Sequence, residues 1–235
     1  MDILVDYDNI ERAIRHMGLE HVVRKIADVL EPCIDTSHNR LDFRLYGGWY
    51  EGRNLSRMAQ RLLTEIRRTF PLALGRKNGT PLGVVNVNLA LSLMCDPRTT
   101  VTHTFRTRGL PPNIRCESPP WLSCVNKASC PIADLTSLFN TGLCPETSCP
   151  VTPETILCKQ EQKMVDTMIV ADILHHSAIK SKCAVVTSDD DIWPGIKAAI
   201  IAGSDILHVQ KNPVATIFPL FRALPSPQYQ CIQMV

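Results

Sequence analysis

The chain of 235 residues has no apolar run long enough to cross a lipid bilayer. No window approaches the roughly eighteen uninterrupted apolar residues of a membrane span, so the sequence predicts a protein without one. Residues 1–6 also lack the basic segment and the longer apolar stretch of a secretory signal. We therefore expect a cytoplasmic protein, and its 45% apolar and 20% charged residues are typical of a folded chain.

A large excess of either charge is absent as well, because the net charge is only +2. This excludes a basic footprint over the whole chain, although a local basic patch can still bind nucleic acid. A G-x-G-x-x-G turn is missing after the first apolar segment. Its absence disfavours a dinucleotide-binding Rossmann protein.

The ten cysteines include no C-x2-C pair, the spacing that makes a zinc site recognisable. Six of them nevertheless fall within residues 116–158, in a segment rich in proline that is unsuited to a long helix or a central strand. Without an export signal, such a cluster favours metal binding over disulfides. Structural zinc, reduced thiols and disulfides all stay open. The candidate zinc ligands are Cys124, Cys130, Cys144 and Cys149.

The apolar pattern outside this segment alternates between strands and helices. Strands separated by helices predict a three-layer α/β sandwich, in which helices cover both faces of a mainly parallel sheet. We expect one domain, interrupted at about residues 96–158 by a Cys-rich insertion that shapes substrate access or holds a protein partner. The predicted strands are 3–6, 41–46, 84–95, 184–187 and 206–209, and the predicted helices are 10–30, 55–70, 163–177, 195–202 and 218–223.

Acidic residues follow two of the predicted strands. Asp6 ends the first strand, and residues 188–191 (Ser-Asp-Asp-Asp) follow the strand 184–187. Ligands of open parallel sheets bind beyond the carboxyl ends of the strands, so these acids are predicted to meet at one edge. Helix capping is the alternative for residues 188–191. Pro194 weighs against it, because proline favours a helix start near Trp193 and leaves the acids in a loop.

Two further carboxylates lie on the predicted helix 163–177. Asp166 and Asp172 fall on or beside its apolar stripe, which includes Val165 and Ile173. An acid turned toward the core is costly unless it is paired or binds a metal, and a hydrogen-bonded structural role is the alternative for both. Several carboxylates in one pocket stay ionised only with cations between them, and oxygen ligands favour Mg²⁺ or Mn²⁺. The pattern therefore points to metal-assisted hydrolysis of a phosphodiester.

At these residues the sequence resembles the NYN branch of the PIN-like ribonucleases. Residues 3–9 (ILVDYDN) are similar to that family's first strand, in which an acid is followed three residues later by asparagine. Residues 162–166 (QKMVD), with Asp172, are similar to its K-x-V-D…D helix. Residues 184–192 (AVVTSDDDI) are similar to its strand followed by S-x-D-x-D, in register with Asp189 or shifted by one, with Ser188 replacing the glycine sometimes seen there.

The resemblance covers about residues 1–95 and 161–209. It implies a Rossmann-like fold and a Mg²⁺- or Mn²⁺-dependent endonuclease that acts on RNA and leaves 5′-phosphate and 3′-hydroxyl ends. Two alternatives stay open: an RNA-binding or protein-interaction module without catalysis, and a metal-dependent DNA nuclease or phosphatase. Carried over by position, the metal ligands are Asp6, Asp166 and Asp189, Asp191 completes the cluster, Asn9 orients a ligand or water, and Asp172 is a lesser member.

Basic residues spaced four apart precede and enter the second predicted helix. Arg53, Arg57 and Arg61 predict one helix face that binds RNA phosphates, with a solvated surface as the alternative. Aromatic residues just before this helix can stack unpaired bases or pack in the core. They are Tyr46, Trp49 and Tyr50.

Overall fold

A computed structural model describes residues 1–35, 39–76, 78–109, 131–146, 148–211 and 227–234. The chain divides into two compact units, of which the first comprises Met1–Phe105 with Gln162–Val235 and the second Arg106–Glu161. The second unit falls largely within the predicted insertion. Among the described residues, no helix is both long enough and apolar enough to span a membrane.

The described strands are numbered in chain order. They are β1 (Asp2–Asp6), β2 (Arg40–Tyr46), β3 (Tyr50–Glu51), β4 (Asn54–Leu55), β5 (Leu72–Gly75), β6 (Pro81–Leu89), β7 (Phe105–Arg108), β8 (Lys159–Gln162), β9 (Cys183–Val186), β10 (Ile206–Gln210) and β11 (Tyr229–Gln233). The helices are α1 (Arg12–His16), α2 (Leu19–Leu30), α3 (Arg57–Thr69), α4 (Pro131–Thr141), α5 (Pro153–Ile156), α6 (Val165–Ala178) and α7 (Trp193–Ile201).

The first unit is built on a sheet of seven described strands in the order β11-β10-β9-β1-β2-β6-β5. Six strands are parallel, and the edge strand β5 pairs antiparallel with β6. Ile3 and Val5 of β1 pack into the apolar cluster that α2 and α3 cover, whereas Leu4 packs into the cluster of α6 and α7. Helices thus cover both faces, which confirms the predicted α/β sandwich with a mainly parallel sheet.

The predicted helix 10–30 forms two helices, α1 and α2, because the helical conformation is interrupted at Gly18. Its φ of +98° lies in the left-handed region, which glycine adopts without a steric penalty. The predicted helix 55–70 begins at Arg57, where the hydroxyl of Ser56 accepts a hydrogen bond from the N–H of Ala59. Arg53 precedes this cap and lies in the turn between β3 and β4. The prediction that it shares a helix face with Arg57 is therefore wrong.

One strand boundary and two edge strands differ from expectation. The predicted strand 84–95 already ends at Leu89, and the edge strands β5 and β11 were not predicted. The predicted helix 218–223 lies outside the described residues. In the second unit, the proline-rich segment includes the helix α4, whose first residue is a proline. Proline is accepted at that position because the N–H that it lacks has no partner within the helix.

Candidate metal centre

Three aspartates from separate elements converge at one edge of the sheet. Asp6 ends β1, Asp166 lies in the first turn of α6, and Asp189 follows β9. One carboxylate oxygen of each lies within 4.8 Å of those of the other two. Within the described residues, these three side chains are the one group of metal-ligating type at such distances. We call them the aspartate trio.

The trio meets where the order of the strands reverses. The chain runs from β1 to β2 on one side, whereas β9 pairs with β1 on the other side. In open parallel sheets, this reversal leaves a crevice beyond the carboxyl ends of the strands. Asp6 and Asp189 both lie at this end, and Asp166 comes from the helix that covers the same face as Leu4. The topology therefore gathers acids that are far apart in sequence.

Asp6 is the buried member of the trio, with 4% of its surface exposed. Its carboxylate accepts hydrogen bonds from the hydroxyl of Thr187 at 3.0 Å and from the backbone N–H of Asn9 at 3.4 Å. Burial raises the pKa of Asp6 to about 7, despite the lowering effect of the Thr187 bond, and the negative charge of Asp166 raises it further. Burial and the nearby negative charge thus disfavour the ionised form of this carboxylate, and a bound cation would favour it.

Asp166, on the exposed side of the centre, also lies near negative charges that no cationic side chain of the described residues balances. Burial of its carboxylate raises its pKa, and the negative charges of Asp189 and Asp191 add to this shift. No ion pair among the described residues involves a member of the trio. A divalent cation would relieve this repulsion, and a donor set made only of oxygens suits Mg²⁺ or Mn²⁺. The trio could therefore hold such an ion.

Asp189 serves as a cap and as a member of the trio at the same time. One carboxylate oxygen accepts a hydrogen bond of 2.9 Å from the N–H of Asp191, at the start of a 3-10 turn (Asp190–Ile192). Helix α7 then begins at Trp193, as predicted. Asp191 is exposed and lies outside the trio, and it influences the centre through its charge. Its assignment as a metal ligand stays a prediction.

Asn9, a predicted site residue, and Thr187, which was not predicted, both form hydrogen bonds at the centre. The backbone N–H of Asn9 donates a hydrogen bond to the carboxylate of Asp6. Asn9 is exposed and lines the same cavity as Asp6. Thr187 was not singled out from the sequence, although its hydroxyl also accepts a hydrogen bond from the N–H of Asp189 at 3.1 Å. A polar residue at the end of a buried strand is the signal that would have indicated it.

Asp172 lies outside the trio and is fully buried. Its carboxylate accepts hydrogen bonds from the Tyr46 hydroxyl at 2.5 Å, the Arg44 Nε at 3.0 Å and the backbone N–H of Met94 at 2.7 Å. Arg44 also donates to the carbonyl of Ser92. This arrangement corresponds to the structural alternative, in which a buried acid joins a helix, a strand and a loop.

The aromatic residues near α3 belong mainly to the core. Trp49 and Tyr46 are each 1% exposed, and the indole N–H of Trp49 donates to the carbonyl of Leu45 at 2.9 Å. Tyr50 is partly buried against the same core. The packing alternative therefore holds for Trp49 and Tyr46. Arg57 and Arg61 are exposed on α3, so a substrate-binding role for them stays a prediction.

The predicted zinc ligands fall into two groups. Cys144 and Cys149 are partly buried free thiols in the second unit. Cys124 and Cys130 lie outside the described residues. Among the side chains that the structure describes, no group of cysteines or histidines lies within metal-binding distances. Zinc thus stays a prediction.

Comparisons of the chain with protein-family models, curated proteins and solved structures give no match. The resemblance to the NYN branch therefore rests on the sequence motifs, and the functional argument rests on the geometry of the centre.

The pKa of Asp6 predicts how the stability of the metal-free protein depends on pH. The folded value of about 7 exceeds the ordinary value of 3.8, so the folded protein retains a proton that the unfolded chain releases. The corresponding stabilisation is fully present below pH 3.8 and is lost as the pH rises through about 7. We expect urea unfolding in EDTA to show this loss, and Mn²⁺ to restore stability at high pH.

Asp6→Asn provides the control for this experiment. The amide does not titrate, so the variant should show a smaller loss of stability between pH 4 and pH 7 than the unaltered protein. Equal pH profiles for the two proteins would contradict the assignment of the shifted proton to Asp6.

Proposed function

We propose that this protein is a Mg²⁺- or Mn²⁺-dependent endoribonuclease. The single observation that carries the proposal is the convergence of Asp6, Asp166 and Asp189 where the strand order reverses. Carboxylates at this place in a parallel sheet suit the binding of a cationic cofactor together with an anionic substrate. The resemblance of the same residues to the NYN branch supports RNA as the substrate.

Each of the three aspartates would supply a carboxylate oxygen as a ligand to the cation. Asp6 is oriented by two hydrogen bonds within the fold, so its carboxylate is preorganised. Asp166 is exposed and Asp189 is partly exposed, which leaves that side of the centre open to a polymer. When bound, a divalent ion activates water and neutralises negative charge that develops on the phosphate.

The reaction is a hydrolysis at phosphorus. A water oxygen forms a new bond to phosphorus, the bond from phosphorus to the 3′ oxygen breaks, and the departing oxygen takes up a proton. The products are the 5′-phosphate and 3′-hydroxyl ends that the resemblance implies. Asp6, Asp166 and Asp189 would each supply an oxygen ligand, so substitution of any one removes a ligand and should weaken metal binding.

The experiment that tests this proposal compares three labelled substrates: single-stranded RNA, a folded tRNA and single-stranded DNA. Each is incubated with the full chain in Mn²⁺, in Mg²⁺ and in EDTA. We expect RNA to be cut with either metal and to survive in EDTA. Preferential cutting of DNA would assign the centre to a DNA nuclease. Binding of RNA without cleavage under every condition would support a binding module instead.

A further inference from the structure

A cavity of the first unit is lined by an unusual set of basic side chains. Its lining consists of Tyr7, Arg12, Arg15, His16, Met58 and Arg61, which we call the arginine pocket. The three arginines come from two separate helices, α1 and α3. The last turn of α1 favours cations, which accounts for Arg15 and His16, but this effect does not extend to Arg61 on α3.

The positive charge of the pocket is only partly compensated. Arg15 forms an ion pair with Asp8 at 3.2 Å. Arg12 donates to the imidazole of His16 at 3.1 Å, and no ion pair among the described residues involves Arg12 or Arg61. Asp8 and Glu65 supply two negative charges near the three guanidinium groups, which leaves a net positive charge at the cavity. The pocket is therefore suited to an anionic ligand.

Arg15 has a donor that its surroundings do not use. Its Nε is buried and has no hydrogen-bond partner among the described residues. The guanidinium lies over the ring of Tyr7, with 5.7 Å from its central carbon to the ring centroid, and Asp8 holds it from another side. Buried polar groups nearly always have a partner. Guanidinium groups favour phosphate because their planar N–H donors match its oxygens.

The pocket and the aspartate trio lie next to each other along the chain. Tyr7 directly follows Asp6, and consecutive Cα atoms are about 3.8 Å apart. Tyr7 packs in the cluster covered by α2 and α3, whereas Asp6 meets Asp166 of α6. A single strand of nucleic acid that crosses the carboxyl end of β1 would pass the trio at Asp6 and the pocket at Tyr7.

We infer that the arginine pocket binds a backbone phosphate of single-stranded RNA, beside the phosphate that lies at the aspartate trio. The inference rests on the proposed function, because the position of the trio defines where the strand passes. It replaces the predicted face of Arg53, Arg57 and Arg61 with a pocket that retains Arg61 and adds residues of α1. The ligand atoms are the non-bridging oxygens of the phosphate, so binding does not depend on base identity.

The test measures the affinity of the full chain for a labelled oligouridine by fluorescence anisotropy, in EDTA and over a range of salt concentrations. The test variant is Arg12→Ala/Arg61→Ala. The control variant Arg67→Ala/Arg98→Ala removes the same charge from exposed residues that do not line the pocket. Arg67 follows Arg61 on α3 by six residues and therefore lies on a different face. Unfolding curves verify that all proteins are folded.

We expect the test variant to bind at least about tenfold more weakly at low salt. The slope of log affinity against log salt should become shallower by about 0.7, because the variant loses one phosphate contact to a single strand. The control variant should stay close to the unaltered protein. Equal losses in the two variants, or no binding by the unaltered protein, would overturn the inference.

This readout separates the pocket from the nuclease activity, because EDTA prevents metal-dependent cleavage. Selective loss of binding in Arg12→Ala/Arg61→Ala supports the pocket even if RNA is never cut. Cleavage by the unaltered protein, together with unaltered affinity in that variant, would retain the nuclease and remove the pocket.

Discussion

Asp166→Asn is expected to slow metal-dependent RNA cleavage by about 10²–10³-fold while the protein stays folded. The residue is exposed in the first turn of α6, and its carboxylate is one of three that could hold the cation. The charge stabilisation that a catalytic metal supplies is worth several kcal/mol. A loss of about 3–4 kcal/mol of it corresponds to a rate reduction of about 10²–10³-fold.

The measurement is the initial rate of RNA cleavage in Mn²⁺, with protein prepared in the same way for each variant. Asp190→Asn is the matched control, because Asp190 directly follows Asp189 but is exposed and lies outside the trio. We expect that control to retain most of the activity. Unchanged cleavage by Asp166→Asn would mean that another protein or another site is responsible.

A second readout follows from the charge of Asp166. Mn²⁺ should raise the melting temperature of the unaltered protein, because a ligand that binds only the folded state stabilises it. Asp166→Asn should lose most of this increase. In metal-free protein, removal of a charge that raises the pKa of Asp6 should lower that pKa. A full Mn²⁺ effect in the variant would place the metal elsewhere.

Asp172→Ala is expected to act in the opposite way, with a large loss of stability even in EDTA. The fully buried carboxylate accepts three hydrogen bonds, and its removal leaves Arg44, Tyr46 and the N–H of Met94 without that acceptor. Burial and the charge of Asp172 raise the pKa of Tyr46 well above its ordinary value, so this hydroxyl remains a donor. Breaking one side of a buried ion pair costs about 3–5 kcal/mol.

Urea unfolding in EDTA measures this loss, because a metal ligand contributes nothing when metal is absent. Asp28→Ala is the control: Asp28 is an exposed helical aspartate, and its substitution should change the free energy of unfolding by less than about 0.5 kcal/mol. A stability close to that of the unaltered protein would contradict the structural role of Asp172. The contrast with Asp166→Asn then separates the two aspartates of one helix.

Local patterns were sufficient for the central architecture of the first unit. The strands around Leu4 and Val185 are buried on both faces of the sheet. Such strands have continuous apolar runs, which identify them as strands without knowledge of the strands that they pair with. The acids Asp6 and Asp189 follow those strands directly, and a parallel sheet places such residues at one edge. The end of the sheet at which the candidate centre lies was therefore predictable from the residues that follow the strands in the sequence.

The edge strands and the exact helix starts depend on neighbours that are distant in sequence. β5 and β11 are short and only partly buried, and each pairs with one of the described strands, so their sequences contain little signal of their own. The start of α3 depends on the hairpin of β3 and β4, which takes Arg53 out of the helix. Helical spacing alone does not reveal such a turn.

By itself, the sequence determined an α/β sandwich and a set of acids at the ends of its strands. The resemblance singled out Asp6, Asp166 and Asp189, but only the tertiary structure brings their carboxylates within 4.8 Å of one another. Asp166 and Asp172 have the same residue type and share a helix, but one meets Asp6 and the other meets Arg44. It also brought Arg12, Arg15 and Arg61 from two helices to one cavity. The physical reason is that a side chain's role depends on what other elements bring within a few ångströms, which periodicity along one element does not encode.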